Sequence, residues 1–480
     1  MFLALFTILV VTIVTIFVLL YLVQPHKQEF MNSVELSEVP KDLVNHLKEA
    51  ISIPTVSKSA NENFEKMREW MKTTYPILFE KFTLELFNTN TILLRCDVEN
   101  TEPLVLLAHH DVVPAPSAGW DTNPFEGTTK DGVVYGRGAM DNKTDFVTCL
   151  EALNFLFATN FKPKRSIYFM SGADEEVGGT GCQAVVSELK RRGVTPYVVL
   201  DEGYCVLDLE KSFLKRNLAL IGFSEKRRLC AKFELTLRGG HASIPPNRTE
   251  SKMVNQFVSA IEKSVRIKRW NEPVKLMIEE VGRGLPFPLN SLVYHLPKLG
   301  SLGTNVVQLC GEKFKALVGT TCVMTYMRMG DLTMTNALPN NAEFVVDIRS
   351  FPGDSVKDIE ERITKTIERY KKNFKEIKME WLWVDDKKEN VCSNLTCEGF
   401  DKIVKTAKEV FGNVIIAPAL VIGGTDSTHY LEISDRVFRF GPEILSFKEI
   451  GAMHGINEQI RENTVEKAFQ YFVKLIQNCC

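Results

Sequence analysis

Residues 104–143 read LVLLAHHDVVPAPSAGWDTNPFEGTTKDGVVYGRGAMDNK, and this stretch decides the fold. It opens with the apolar run Leu104–Ala108, whose length and composition suit a strand that is buried on both faces. The run ends in His109, His110 and Asp111. Because open α/β sheets keep their ligand crevice at the carboxyl ends of the strands, we expect a functional site where this run ends.

Two further apolar runs downstream end in the same way. The predicted strands are Ser166–Ser171, followed by Asp174, Glu175 and Glu176, and Tyr197–Leu200, followed by Asp201 and Glu202. A single acidic ending is usually a helix N-cap or a solvated turn. Three polar endings in one βαβαβ pattern instead favour a shared metal site.

The pattern along the chain predicts an α/β fold with an insertion. A catalytic domain with a mostly parallel sheet flanked by helices is expected over residues 40–227 and 385–478. From about residue 228 the chain alternates like antiparallel strands and contains two amphipathic helices. We therefore predict an inserted α+β domain over residues 228–384.

Composition narrows the class of protein. The chain has 480 residues, 45% of them apolar and 25% charged, which is ordinary for a globular protein. Its net charge of -2 and the lack of an arginine-rich arm argue against a nucleic-acid partner. None of the eleven cysteines forms a CxxC pair, which argues against a structural zinc knot.

The first residues of the chain are apolar. Residues 2–23 are about long enough for the roughly 20 residues that span a bilayer. A cleaved signal peptide normally has a basic start and a small-residue exit, and both are missing, so we predict a membrane anchor over residues 1–24.

The side of the membrane is harder to predict. Three lysines just after the anchor favour a cytosolic enzyme, whereas sequons at Asn247 and Asn394 favour a lumenal one. We expect a single-pass protein with a lumenal or extracellular catalytic domain, or a secreted protein if the segment is cleaved.

The polar residues gathered by this pattern have the composition of a two-metal site. The candidates are His109, Asp111, Asp141, Glu175, Glu176, Asp201 and His454. Paired metal ions about 3.5–4 Å apart need a bridging carboxylate, terminal ligands and a nearby base. Histidine and carboxylate ligands without thiolates suit Zn²⁺, with Co²⁺ or Mn²⁺ as substitutes.

Several motifs resemble one family of enzymes. AHHDVVPA, YGRGAMDNK, DEEVGGTG, DEG, GGHAS, NALP, GGTDS and HGINE are similar to those of the dizinc aminoacylase/carboxypeptidase S metallopeptidases. The similarity runs from about Val44 to Ile476. It is closest to the branch of carboxypeptidase S and N-fatty-acyl-amino-acid synthase/hydrolase.

The resemblance implies a role for each candidate. It implies metal ligands at His109, Asp141, Glu176, Asp201 and His454, with Asp141 as the bridge between two Zn²⁺ ions. It also implies that Glu175 is the general base, that Asp111 orients His109, and that the Asp141–Asn142 peptide bond is cis.

The same resemblance implies that the inserted domain is a lid and a dimerisation domain. His241 would reach a neighbouring subunit's site in a homodimer and stabilise the oxyanion, and Asn336 and Arg349 would contact substrate. A salt bridge is the alternative for Arg349. One departure is that the usual carboxylate-binding arginine is missing after GGTD, so His429 or Arg439 must supply the charge, or the substrate differs.

Together these residues predict a dizinc amidohydrolase that cleaves, or reversibly forms, the amide bond of N-acyl amino acids, above all N-fatty-acyl ones. One alternative is a carboxypeptidase acting on small peptides. An alternative of another class is a non-catalytic membrane-anchored binding homologue.

Overall fold

The computed structural model describes residues 12, 15 and 18–480, apart from residues 117, 213 and 385–391. Most of the predicted anchor, residues 1–24, therefore lies outside the described residues. Among the residues that are described, no helix is long and apolar enough to cross a membrane. This finding contradicts the prediction of a single-pass membrane protein, together with the lumenal or extracellular placement that depended on it.

The described part of the chain contains eighteen strands. In chain order they are β1 Thr83–Phe87, β2 Thr91–Cys96, β3 Leu104–Leu107, β4 Thr128–Lys130, β5 Val133–Tyr135, β6 Ile167–Ser171, β7 Val198–Leu207, β8 Leu218–Glu225, β9 Arg227–Thr236, β10 Gly240–His241, β11 Ile267–Lys268, β12 Gly319–Met329, β13 Ala337–Leu338, β14 Asn341–Ser350, β15 Glu376–Val384, β16 Ile415–Val421, β17 Val437–Leu445 and β18 Gln459–Arg461.

The α-helices in the same residues number fourteen. They are α1 Leu43–Ser52, α2 Asn61–Thr74, α3 Pro76–Lys81, α4 Lys143–Ala158, α5 Thr180–Arg191, α6 Glu250–Val265, α7 Glu272–Gly284, α8 Leu289–Tyr294, α9 Ser301–Leu309, α10 Glu312–Leu317, α11 Val356–Tyr370, α12 Glu398–Phe411, α13 Phe447–Ile450 and α14 Glu462–Cys479. Short 3-10 helices cover Glu175–Val177, Leu296–Leu299, Lys371–Asn373 and Asp426–Glu432.

An eight-stranded sheet has the order β1-β2-β6-β3-β7-β17-β8-β16. The pairs β6–β3, β3–β7, β7–β17 and β8–β16 are parallel, which confirms the predicted mostly parallel sheet. Successive side chains of a strand point to opposite faces. In β3, Leu106 accordingly joins a core cluster with Phe146 of α4 and Phe469 of α14, while Val105 joins a second cluster with Val185 of α5. Helices therefore cover both faces of the central strands.

A five-stranded antiparallel sheet has the order β11-β12-β14-β9-β15. Its core stacks Phe233 on Phe344 with ring centroids 4.7 Å apart, and Phe257 of α6 meets both rings edge-on. Only Lys226 separates β8 of the large sheet from β9 of this one. The strands of this sheet lie between Arg227 and Val384, and the insertion over residues 228–384 stays a prediction.

Two local details complete the fold. The segment Val281–Asn290 contributes to α7 and α8. Its Phe287 packs edge-on against Tyr21, with ring centroids 6.1 Å apart. Strand β7 was expected to end at Leu200 but continues to Leu207, so the two acids that follow Leu200 lie inside a strand.

Candidate active site

The candidate site forms where β3, β6 and β7 end or bend at one edge of the large sheet. His109 follows β3, Glu175 and Glu176 open the 3-10 helix after β6, and Glu202 lies within β7. Because the three strands are parallel neighbours, their carboxyl ends bring these side chains to one edge. The structure thus unites residues that the sequence separates by as many as 93 positions.

Asp141 is the centre of this arrangement. It lies just before α4, and its peptide bond to Asn142 is cis, as predicted. One carboxylate oxygen, Oδ1, lies 2.9 Å from His109 Nε2, and the other, Oδ2, lies 2.8 Å from His454 Nε2. A single carboxylate therefore joins two imidazoles, which is the position that a metal-bridging group takes.

Two sets of side chains have the spacing of metal ligands. One is His109, Glu175 and Glu202, the other is His109, Asp141 and Glu176, and in each set the donor atoms lie within 4.8 Å of one another. His454 adjoins the second set, with Nε2 3.1 Å from Glu176 Oε1. The predicted residues His109, Asp141, Glu176 and His454 therefore meet around one small volume.

The pKa values of three ionisable groups of the site are raised. Burial raises the pKa of Glu175 well above its usual value, and burial raises that of Glu202 to about 7 against the opposing charge of His109. Hydrogen bonds to Asp141 and Glu176 raise the pKa of His454 to about 10. Burial is the largest cause for both glutamates, and the negative charge of neighbouring carboxylates, which a divalent cation would offset, adds to it.

Asp111 fixes the orientation of the groups around it. Its carboxylate accepts hydrogen bonds from the backbone N–H of Glu175 and Glu176, at 3.1 and 3.3 Å, and from Ser57 Oγ at 2.7 Å. Its Oδ1 lies 3.4 Å from His109 Nδ1, and its backbone carbonyl lies 2.9 Å from the same nitrogen. This arrangement holds the imidazole so that Nε2 faces the site.

Asp201 belongs to neither of the two sets found among the described residues. Its Oδ2 accepts from the backbone N–H of Ser427 at 2.8 Å and its Oδ1 from that of Glu202 at 2.9 Å. Glu202 instead approaches the site, with Oε1 3.4 Å from His109 Nε2 and Oε2 bonded to the side chain of Asn142.

A bulge in β7 explains why the neighbour of Asp201 faces the site. The register with β17 shifts between the pairs Asp201–Arg439 and Tyr204–Phe440, so Glu202 and Gly203 form the irregular step. Gly203 has φ +151°, and a Cβ there would lie 2.6 Å from the Cβ of Arg439. Bulges of this kind re-aim side chains near active sites. The glycine inside an acidic strand ending was the signal in the sequence.

Four further predicted site residues also lie outside the two ligand sets. His241 and Asn336 are exposed near a short ribbon formed by β10 and β13, where the backbone N–H of Ala242 donates to the carbonyl of Asn336 at 2.9 Å. Arg349 donates through Nε to Asp347 at 2.9 Å, the salt bridge given as its alternative. His429 is half-buried in the 3-10 helix Asp426–Glu432.

Arg439, the other candidate for the missing positive charge, is buried. Its Nε donates to Glu225 Oε1 at 2.7 Å, and it is 1% exposed. A guanidinium committed to a buried carboxylate is not free to bind a substrate carboxylate.

Sequence reasoning missed Asp426 and Glu458 as buried acids near the site. Burial, then the charges of Asp201 and Asp111, raises the pKa of Asp426 well above its usual value. Glu458 is fully buried beside Asp141, and its Oε1 accepts a hydrogen bond from the backbone N–H of Asp141 at 3.1 Å. Both acids stand in the quoted motifs GGTDS and HGINE, and that position was the available signal.

Known proteins are similar to this chain over most of its length. The chain is 31% identical over 448 residues to the N-fatty-acyl-amino acid synthase/hydrolase PM20D1 of Xenopus tropicalis, covering 91% of this chain and 86% of that protein. It is 28% identical over 456 residues to the probable carboxypeptidase S-like 2 of Dictyostelium discoideum, covering 91% of this chain and 85% of that protein.

Solved structures share the fold. The M20 family metallo-carboxypeptidase Sso-CP2 from Sulfolobus solfataricus matches with a TM-score of 0.66 at 17% identity, covering 92% of this chain and 99% of that chain. Human carnosine dipeptidase 1 matches with a TM-score of 0.64 at 16% identity, covering 91% and 96% respectively. The model of peptidase family M20/M25/M40 matches residues 105–478, and the chain therefore belongs to this family of metal-dependent hydrolases.

Proposed function

We propose that this protein hydrolyses the amide bond of N-acyl amino acids at a centre of two metal ions bridged by Asp141. The observation that carries the proposal is the carboxylate of Asp141 placed between the imidazoles of His109 and His454. The similarity to an N-fatty-acyl-amino acid synthase/hydrolase over 91% of the chain supports the substrate class.

The donor atoms fit a pair of borderline cations. We propose that His109, Asp141 and Glu202 hold one ion and that Asp141, Glu176 and His454 hold the other. Imidazole nitrogens and carboxylate oxygens without a thiolate are the ligands that Zn²⁺ takes in catalytic sites, and Co²⁺ or Mn²⁺ accept the same set. Glu202 replaces the predicted Asp201 because its carboxylate is the one near His109.

Metal ions held by these residues would supply Lewis acidity to polarise the amide carbonyl and to make water a competent nucleophile at neutral pH. Glu175 lies beside this volume, and the backbone of its loop is held by Asp111. We assign Glu175 as the base that accepts the proton of the attacking water and delivers it to the leaving nitrogen. Burial raises the pKa of Glu175, which helps its carboxyl group to hold the proton between the two transfers.

Apolar side chains next to the base favour an apolar acyl group. Gly178 closes the 3-10 helix Glu175–Val177, and the tip of the Trp383 indole lies against it. Trp383, on β15 of the five-stranded sheet, is 48% exposed, and Val177 is 39% exposed. We propose that these two side chains contact the acyl chain of the substrate, where their burial strengthens binding.

The remaining predicted residues keep proposed roles. We propose His429 for the carboxylate of the amino acid, since Arg439 is committed to Glu225. We also propose that the five-stranded sheet is a lid and dimerisation domain, and that its exposed His241 and Asn336 complete the site of a neighbouring subunit. A non-catalytic role is disfavoured, because the ligand positions and the base position hold residues that can perform the chemistry.

The second candidate function is carboxypeptidase activity on small peptides. The relative described as probable carboxypeptidase S-like 2 supports it at 28% identity. The two functions share the metal centre and the base and differ in the group on the acyl side of the amide bond. Substrate comparison therefore separates them.

Glu175→Gln is expected to lower kcat for hydrolysis of N-oleoyl-phenylalanine by about 10²–10⁴, because the amide cannot accept the proton of water. Release of phenylalanine is measured by chromatography with and without a chelator, and a dipeptide is assayed in parallel. Glu65→Gln, at an exposed position on α2, is the control and should leave kcat unchanged. Cleavage of the dipeptide alone would contradict the acyl assignment, and full activity of Glu175→Gln would contradict the base.

Glu202→Gln is expected to weaken the binding of one of the two metal ions, whereas Asp201→Asn should retain both. The reason is that Glu202 approaches His109 while Asp201 accepts backbone hydrogen bonds. Metal per chain is measured by inductively coupled plasma mass spectrometry after dialysis. If Asp201→Asn loses metal and Glu202→Gln keeps both ions, Asp201 and not Glu202 is the metal ligand, as the sequence predicted.

Trp383→Ala is expected to lower kcat/KM for N-oleoyl-phenylalanine by about tenfold and to leave N-acetyl-phenylalanine nearly unaffected, since only a long chain reaches the indole. Leu382→Ala, at a neighbouring position that is 51% exposed, is the matched control. Equal losses on both substrates would show that Trp383 supports the loop rather than the acyl chain.

A further inference from the structure

The two segments that provide Asp141 and His454 are more than 300 residues apart in sequence, and a buried ion pair connects them. Glu458 is fully buried, and its Oε1 accepts from the backbone N–H of Met140 at 2.8 Å and of Asp141 at 3.1 Å. Its Oε2 forms an ion pair with Nη1 of Arg137. The carboxylate thus holds the backbone of the residue at the centre of the site.

Arg137 holds the opposite segment. Its Nη2 donates hydrogen bonds to the carbonyl oxygens of His454 at 3.1 Å and of Gly455 at 3.2 Å. The side chain is 2% exposed, and the Trp120 ring lies against the guanidinium, 5.5 Å from its carbon. His454 has φ 59°, a left-handed conformation that histidine rarely adopts and that the surrounding structure must enforce.

The pair also lies at the end of a small sheet. β5 pairs with β18 in antiparallel register, and beyond it the backbone N–H of Gly136 donates to the carbonyl of Glu458 at 3.0 Å. Arg137 lies just after β5, and Glu458 lies just before β18. The hydrogen bonds between these two strands limit how far either segment can move. A guanidinium with several donors is suited to such a fixed geometry.

We propose that Arg137 and Glu458 are positioning residues that set the separation of Asp141 from His454, and so the affinity of the metal position formed by Asp141, Glu176 and His454. This inference rests on the proposed function. A buried ion pair adds little net stability compared with apolar side chains of similar size. Here every named bond of the pair ends on the other partner or on the backbone of a ligand segment, which suits a positioning role.

The experiment compares Glu458→Gln and Arg137→Lys with the wild type in a zinc titration against a chromophoric chelator. Glu458→Gln keeps an oxygen for one backbone N–H but loses the charge that holds Arg137, and Arg137→Lys keeps the charge but loses the fork of donors. We expect one of the two zinc ions to bind about 10–100-fold more weakly in each variant. We also expect kcat to fall more than KM changes.

The matched control is Asp354→Asn, which removes a similarly buried carboxylate paired with Arg269 near the five-stranded sheet. Thermal unfolding of each metal-free protein measures the structural cost separately. A lower Tm in Glu458→Gln together with wild-type affinity for both ions would overturn the inference, because the pair would then serve stability alone. Arg137→Lys provides the same comparison should Glu458→Gln fail to fold.

Zinc binding by the wild type distinguishes failure of the positioning role from failure of the proposed function. If the wild type binds two zinc ions and both variants bind them with unchanged affinity, the positioning role fails and the proposed function stands. If the wild type does not bind two zinc ions, the proposed metal centre fails, and the positioning role fails with it.

Discussion

The concentration of carboxylates at one edge of a buried sheet is the constraint on which the rest of this structure depends. Asp141, Glu175, Glu176 and Glu202 stand around a volume that holds only two imidazoles as possible cations among the named donors. Like charges at such distances repel strongly in a low-dielectric interior. The arrangement is therefore understandable as a site built for divalent cations, and the raised pKa values of Glu202 and His454 express the same imbalance.

The surrounding residues act mainly to hold this acidic group in place. Asp111 fixes both His109 and the loop of Glu175, while Arg137 and Glu458 hold the backbones of His454 and Asp141. The hydrogen bond from Glu175 to Asp111 joins the ends of β6 and β3 in the large sheet, and the Arg137–Glu458 pair lies beside β5 and β18 of a small three-stranded sheet, so the site forms only when both sheets have their observed order. Binding and folding of such a centre are coupled, since the ligands are not arranged in the unfolded chain.

The sequence was sufficient for the strands and most of the donors, because apolar runs with polar endings predict parallel strands that meet at one edge. β3, β6 and the start of β7 lie where they were expected, and His109, Asp141, Glu176 and His454 come together. It was insufficient at Glu202, because the bulge formed by Glu202 and Gly203 decides which acid faces the site, and periodicity does not reveal a bulge. The Arg137–Glu458 pair was missed because its partners are separated by 321 residues and no local pattern links them.

The most direct test of the central claim is a crystal structure of the zinc-loaded protein with anomalous diffraction measured on both sides of the zinc absorption edge. The account predicts two anomalous peaks about 3.5–4 Å apart, with Asp141 between them, His109 and Glu202 on one side, and His454 and Glu176 on the other. A single peak, or two peaks that do not share Asp141, would contradict it.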